Sequence, residues 1–86
     1  MPNVDSVLVG LRRHGPAAPL ALRRLVQHGF AHRRKALARS LALSPGGTNE
    51  LRDRAREALT ELGHPADARA ETLAPNDWRA LWERLR

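Results

Sequence analysis

Eighty-six residues suffice for one domain at most, and a chain of this size removes only about 60% of its unfolded surface from water, so its core is thin. With three aromatics and no cysteine, the sequence excludes a disulfide framework, a thiolate metal site and a cysteine nucleophile. Fifteen Lys and Arg against nine Asp and Glu leave a formal charge of +6, and fourteen of the fifteen cations are arginine. The arginine fork grips phosphate with two hydrogen bonds where lysine acts as a point charge, so this balance points to a polyanionic partner. A GC-rich genome would raise arginine everywhere, so placement has to decide. No apolar run approaches the ~18 residues of a membrane span, and the N-terminus lacks the layout of a signal peptide. A cytoplasmic location is expected.

The first element is "VDSVLVGLRR", residues 4–13. Val7, Leu8, Val9 and Leu11 form a short run, rich in β-branching and apolar on both faces, which reads as a buried strand over 7–11. No second strand candidate follows, and a lone strand cannot satisfy its own backbone groups. Residues 1–16 are therefore expected to be the terminal strand and linker of a missing domain, closed by "GPAAP" at 15–19.

From Leu20 the apolar period becomes helical, with Leu22, Leu25, Val26 and Phe30 on one face. An unbroken helix to Leu43 would set Arg33 in the middle of that stripe, and burying an unpaired guanidinium is costly. The spacing thus predicts two helices, about 18–30 and 33–43, with a corner at Ala31-His32 helped by Gly29. Arg33, Arg34 and Lys35 would then occupy the first turn of the second helix, where cations oppose the helix dipole. With Arg39, Arg23 and Arg24 they make six cations in seventeen residues without one acid between them.

"SPGGTN" at 44–49 reads as a loop, and Leu51, Ala55, Ala58, Leu59 and Leu62 line a third helix over about 50–62. Thr48 or Asn49 suits its N-cap, and Gly63 with Pro65 stops it. Its charged outer face reads as solvated, with i,i+4 pairing and no function. "HPADARAETLAP" is an extended connection, and Pro75 opens a last helix in which Trp78, Leu81, Trp82 and Leu85 recur at helical spacing. Base stacking by the tryptophans is possible chemistry, but that spacing favours core packing.

Catalytic and metal chemistry find little here. His28 and His32 are spaced i,i+4, a chelating geometry, but they lack a third ligand and the corner separates them. His14 and His64 read as loop residues, Ser6 has no His/Asp constellation, and Gly46-Gly47 has no following phosphate-binding lysine. No catalytic, cofactor-binding or metal-ligating residue is assigned. The basic corner is what remains.

Three blocks, in order, resemble the C-terminal part of the ribosomal RNA adenine dimethyltransferase family: "PNVDSVLVGLRR", "LRRLVQHGFAHRRKALARSL" and "ELGHPADARAETLAPNDWRALWERL". The matching motifs are Pro2 to Ser6, Phe30 to Leu37 and Arg69 to Leu73, and the Arg-Arg-Lys block favours the housekeeping small-subunit branch. The resemblance implies that the strand belongs to a Rossmann-like methyltransferase sheet and that 17–86 form a helical domain docking the enzyme on small-subunit rRNA. Position by position, Arg33, Arg34 and Lys35 would contact RNA phosphates, while Arg69 and Glu71 would be structural. The full-length enzyme would use S-adenosylmethionine. Its glycine-rich loop and its Asn/Asp-Pro-Pro-aromatic motif are missing from these 86 residues, which are expected to be inactive alone, as an excised domain, a truncated product or a mis-set start. The expected fold is mainly α, about four helices preceded by one orphan β-strand. The expected partners are small-subunit rRNA and the missing N-terminal catalytic domain, with no membrane and no metal. The alternative is a free-standing basic helical module that binds protein without RNA specificity.

Overall fold

A computed structural model describes residues 3–13 and 17–86, and its first element is a helix, α1 (Val4–Arg13), where a strand was expected. No strand occurs among the described residues. Two features of the segment outweigh its β-branching. The Asn3 side chain accepts a hydrogen bond from the Ser6 N–H at 2.9 Å, capping the first turn, and Asp5 and Arg12-Arg13 lie at the ends where the helix dipole favours them. Val4, Val7, Leu8 and Leu11 also repeat at i, i+3, i+4 and i+7, and Val7 and Leu11 are fully buried. Val9, which made the run look two-faced, lies off that stripe and is 45% exposed. The boundary expected at Gly15-Pro16, with His14 before it, falls outside the described residues.

Four further helices follow: α2 (Leu20–Phe30), α3 (Leu37–Leu43), α4 (Asn49–Glu61) and α5 (Pro75–Leu85), with one 3-10 turn at Ala70–Thr72. Among the described residues the count is thus five rather than about four. Each helix packs on the next, and α5 returns to α1 and also crosses to α2. Leu22 and Val26 from α2, Leu37 and Leu41 from α3, Leu59 from α4 and Trp78 and Leu81 from α5 share one core with Val7 and Leu11. Each fully buried leucine contributes roughly 1.5–3 kcal/mol. Trp78 is the largest of the fully buried side chains, and its indole N–H is buried without a hydrogen-bond partner among the described residues. Its role is therefore packing, as the spacing predicts. Trp82 is half-buried, with the Arg86 guanidinium 4.9 Å above its ring.

The ends of α4 and α5 follow the sequence signals. Thr48 Oγ1 accepts from the Leu51 N–H at 3.0 Å, and Gly63 takes φ +89°, which lets the His64 N–H reach back to the Leu59 carbonyl at 2.9 Å. Pro75 opens α5, and the Asp77 carboxylate accepts from the Ala74 N–H at 3.0 Å. The i,i+4 pairs expected on α4 are not its ion pairs. Arg52 meets its neighbour Asp53 at 3.3 Å, and Glu61 reaches across to Arg84 of α5 at 3.9 Å.

Candidate nucleic-acid interface

Helix α2 ends at Phe30, and α3 does not begin until Leu37. Residues 31–36 form the corner as a turn, so Arg33, Arg34 and Lys35 sit in the connection and not in the first turn of α3. The physical reason is local. Ala36 is extended (φ −58°, ψ 148°), and the Leu37 N–H is met by the Ala68 carbonyl at 2.8 Å. A carbonyl from the 64–74 connection thus meets the first N–H of the helix, and the cations lie just before its N-cap and outside its first turn. Gly29 does not host the corner either. It is a buried residue of α2, and a Cβ there would stand 2.5 Å from Trp78 Cη2. Its lack of a side chain admits the tryptophan, whose ring stacks on Phe30 with centroids 5.8 Å apart.

A polar network braces the turn from below. Ser40 of α3 is fully buried, and its hydroxyl donates to the His28 carbonyl at 2.6 Å while accepting from the His32 N–H at 3.1 Å. The His32 ring nitrogen Nδ1 lies 3.3 Å from the same hydroxyl, and Ser44 Oγ donates to the Ser40 carbonyl at 2.8 Å. One serine therefore gives the His28 carbonyl at the end of α2 its shortest donor, beside the Ala31 N–H at 3.3 Å and the Ser44 hydroxyl at 3.4 Å, and ties down the first residues of the corner. His28 and His32 serve this brace, and no group of three or more candidate metal ligands occurs among the described residues.

All six cations singled out from the sequence are exposed, and none of them makes an ion pair with an acid among the described residues. The fold nevertheless separates them. Arg33 and Lys35 line one surface cavity of about 310 Å³, together with Arg69, Phe30, Val4 and Glu71. Arg34, from the same turn, lines neither this cavity nor the next. Arg39 opens on a second cleft of about 270 Å³ between α3 and α4, beside Arg52 and Arg56. Arg23 and Arg24 lie on α2 six or seven residues before its end, roughly 10 Å up the helix axis, and line neither of these two cavities.

Arg69, Arg52 and Arg56 were not among the sequence candidates. Arg69 and Glu71 form no ion pair within 4 Å among the described residues, so the structural tie expected of them is not made by their charges. Arg52 and Arg56 fall on the α4 face read as merely solvated. The available signal was weak: an Arg-x-x-x-Arg spacing that puts both side chains on one stripe of α4.

Against known proteins the chain has clear relatives. It is 45% identical over 86 residues to a ribosomal RNA small subunit methyltransferase A of Rubrobacter xylanophilus, covering 98% of the chain and 30% of that protein. The corresponding protein of Thermosynechococcus vestitus is 43% identical over 91 residues, covering 99% of the chain and 32% of the relative. That of Myxococcus xanthus is 41% identical, covering 93% and 29%. No protein-family model and no solved structure matches the chain. The chain thus spans about 30% of the length of these relatives, and the segment it matches is their C-terminal part. By sequence it belongs with the C-terminal part of the small-subunit ribosomal RNA methyltransferase A family, the family its three motif blocks resemble.

Proposed function

We propose that this segment docks a methyltransferase of that family on small-subunit rRNA, with residues 17–86 as the docking part and the corner as the contact. The observation that carries the reading is the state of the corner. Arg33, Arg34 and Lys35 are exposed, without acidic partners among the described residues, on a turn held by the buried Ser40. A braced turn spares binding the cost of ordering the backbone, so that only the rotamer entropy of the exposed side chains themselves is lost. The partner contacts are phosphates. Neutralisation is independent of sequence, and the shape of the RNA supplies selectivity. Arg39 and Arg56 offer further contacts at the separate α3–α4 cleft, where Arg52 is paired with Asp53, and Arg23 and Arg24 offer others along α2.

Methyl transfer belongs, in this reading, to the rest of the whole enzyme. S-adenosylmethionine does not fit the residues present. The described glycines are occupied by packing or turns: Gly10 against Pro75, Gly29 against Trp78, Gly47 against the Leu41 and Ala42 carbonyls, and Gly46 and Gly63 at positive φ in exposed turns. None is left to form a cofactor cradle, so no step is derived through the cofactor. No helix among the described residues is long and apolar enough to cross a membrane. A cytoplasmic setting, with the ribosome, is part of the proposal.

Binding of the chain to small-subunit rRNA fragments across a salt series, with duplex DNA as competitor, tests this reading. Arg33→Ala and Arg34→Ala should each weaken binding and lower the slope of log K against log salt by about 0.7–0.9. If both variants bind as the parent does at every salt concentration, the corner is not the contact. Equal competition by DNA would reduce the surface to an unspecific basic face.

A further inference from the structure

The 310 Å³ cavity at the corner is more than a patch of charge. Val4, Phe30 and Ala70 line it with carbon, Arg33, Lys35 and Arg69 line it with cations, and Glu71 contributes a half-buried carboxylate. A site evolved for phosphate alone has no use for a carboxylate, which repels the ligand. This one also forms no ion pair within 4 Å among the described residues, although three cations line the same cavity. A carboxylate in that position is free to accept hydrogen bonds from a ligand. The aromatic wall is fixed in place, because the Phe30 ring stacks on Trp78 at an interplanar angle of 27°. The volume lies at the lower end of small-ligand pockets, which suits a single nucleotide.

We propose that the cavity receives one unpaired guanine nucleotide of the RNA, and this inference rests on the docking reading above. The base lies against Phe30 and Val4, as unstacked bases do on aromatic side chains. Arg33, Lys35 and Arg69 meet its flanking phosphates. Glu71 reads the base edge. Guanine alone presents two adjacent N–H donors, N1–H and the N2 amino group, on its Watson–Crick edge, matching the two oxygens of one carboxylate. Adenine, cytosine and uracil each offer an acceptor within that stretch, which the carboxylate repels. The corner would thus combine sequence-independent phosphate binding with recognition of one extruded base.

Short labelled oligoribonucleotides, six uridines around one central G, A, C or U, test the pocket by fluorescence anisotropy with the full 86-residue chain at low salt. The central G is expected to bind about ten-fold tighter than the other three, the scale of one bidentate base contact. Glu71→Gln, close to isosteric, should abolish that preference and leave the salt slope intact. Lys35→Ala should weaken all four oligonucleotides alike and leave the preference in place. Salt-dependent binding with no base preference, or a G preference that survives Glu71→Gln, would overturn the guanine pocket while leaving the docking reading standing. Absence of binding by every RNA, rRNA fragments included, would overturn both.

Discussion

At the α2–α3 corner Arg33, Arg34 and Lys35 stand exposed without an acidic partner among the described residues, and the turn beneath them is held by a serine. Around α5 the arginines are spent on structure. Arg79 donates to the Leu11 carbonyl at 2.7 Å, closing the end of α1, and Arg54 donates to the Leu85 carbonyl at 2.8 Å, closing α5. Arg84 faces Glu61, and Arg86 covers Trp82. Both regions are arginine-rich, and the difference lies in what the guanidinium groups meet. A guanidinium that satisfies an open helix carbonyl is already committed to the fold, since each such bond to a charged group is worth about 1.5–3 kcal/mol. A guanidinium on a braced turn that forms no ion pair among the described residues has its donors free for a ligand. The count of arginines cannot make that distinction.

Three substitutions would break or sharpen this contrast. The largest effect is expected at Trp78, the one fully buried aromatic, which supports the corner through Phe30 and Gly29. Trp78→Ala should cost about 3–5 kcal/mol in denaturant unfolding, a large fraction of the stability of a small domain. A loss below 1 kcal/mol would mean that the corner does not rest on α5. Ser40→Ala comes next, because it takes the hydroxyl acceptor from the His32 N–H and the shortest donor from the part-buried His28 carbonyl, leaving that carbonyl only the Ala31 N–H at 3.3 Å and the Ser44 hydroxyl at 3.4 Å. A loss of about 1–3 kcal/mol is expected, with weaker RNA binding at unchanged salt slope, since no cation is removed. An unaltered RNA affinity in a destabilised Ser40→Ala chain would show that bracing is irrelevant to binding. The smallest effect should come from Arg84→Ala, which removes an exposed pair: about 0–1 kcal/mol in stability and no change in the salt slope of RNA binding. If Arg84→Ala lowers that slope as much as Arg33→Ala does, the two regions are equivalent and RNA binding follows net charge alone.

Much of the helical half was legible in the residues. Leucines and alanines at 3.6-residue spacing located α4, Thr48 and Gly63 marked its ends, and Pro75 opened α5, because these signals act within a few residues of one another. The misread segment, 4–13, contained both messages. Its valines favour a strand in isolation, whereas the Asn3 cap and the stripe from Val4 to Leu11 favour a helix once α2 and α5 are there to bury it. The family resemblance implies a strand for the same segment, but one set against a sheet that these residues do not include. The candidate site divides in a similar way. The cations at 33–35 stood out as a run without acids, but Arg69 stood alone in its connection, and only the fold brings it to the same cavity.

By itself the sequence determined that the chain is basic, mainly helical from Leu20 onward, broken near Ala31, and similar in its three motif blocks to one methyltransferase family. These follow from composition, periodicity and local capping, which need no distant partner. The tertiary structure decided that residues 4–13 are helical, that Gly29 exists to admit Trp78, and that Ser40 holds the corner. It also decided that Arg33 and Lys35 share a cavity with Arg69 and Glu71 while Arg39 faces Arg52 and Arg56 elsewhere. Each of these depends on contacts between elements far apart in the chain, and the energy of such a contact exists only once both elements are packed.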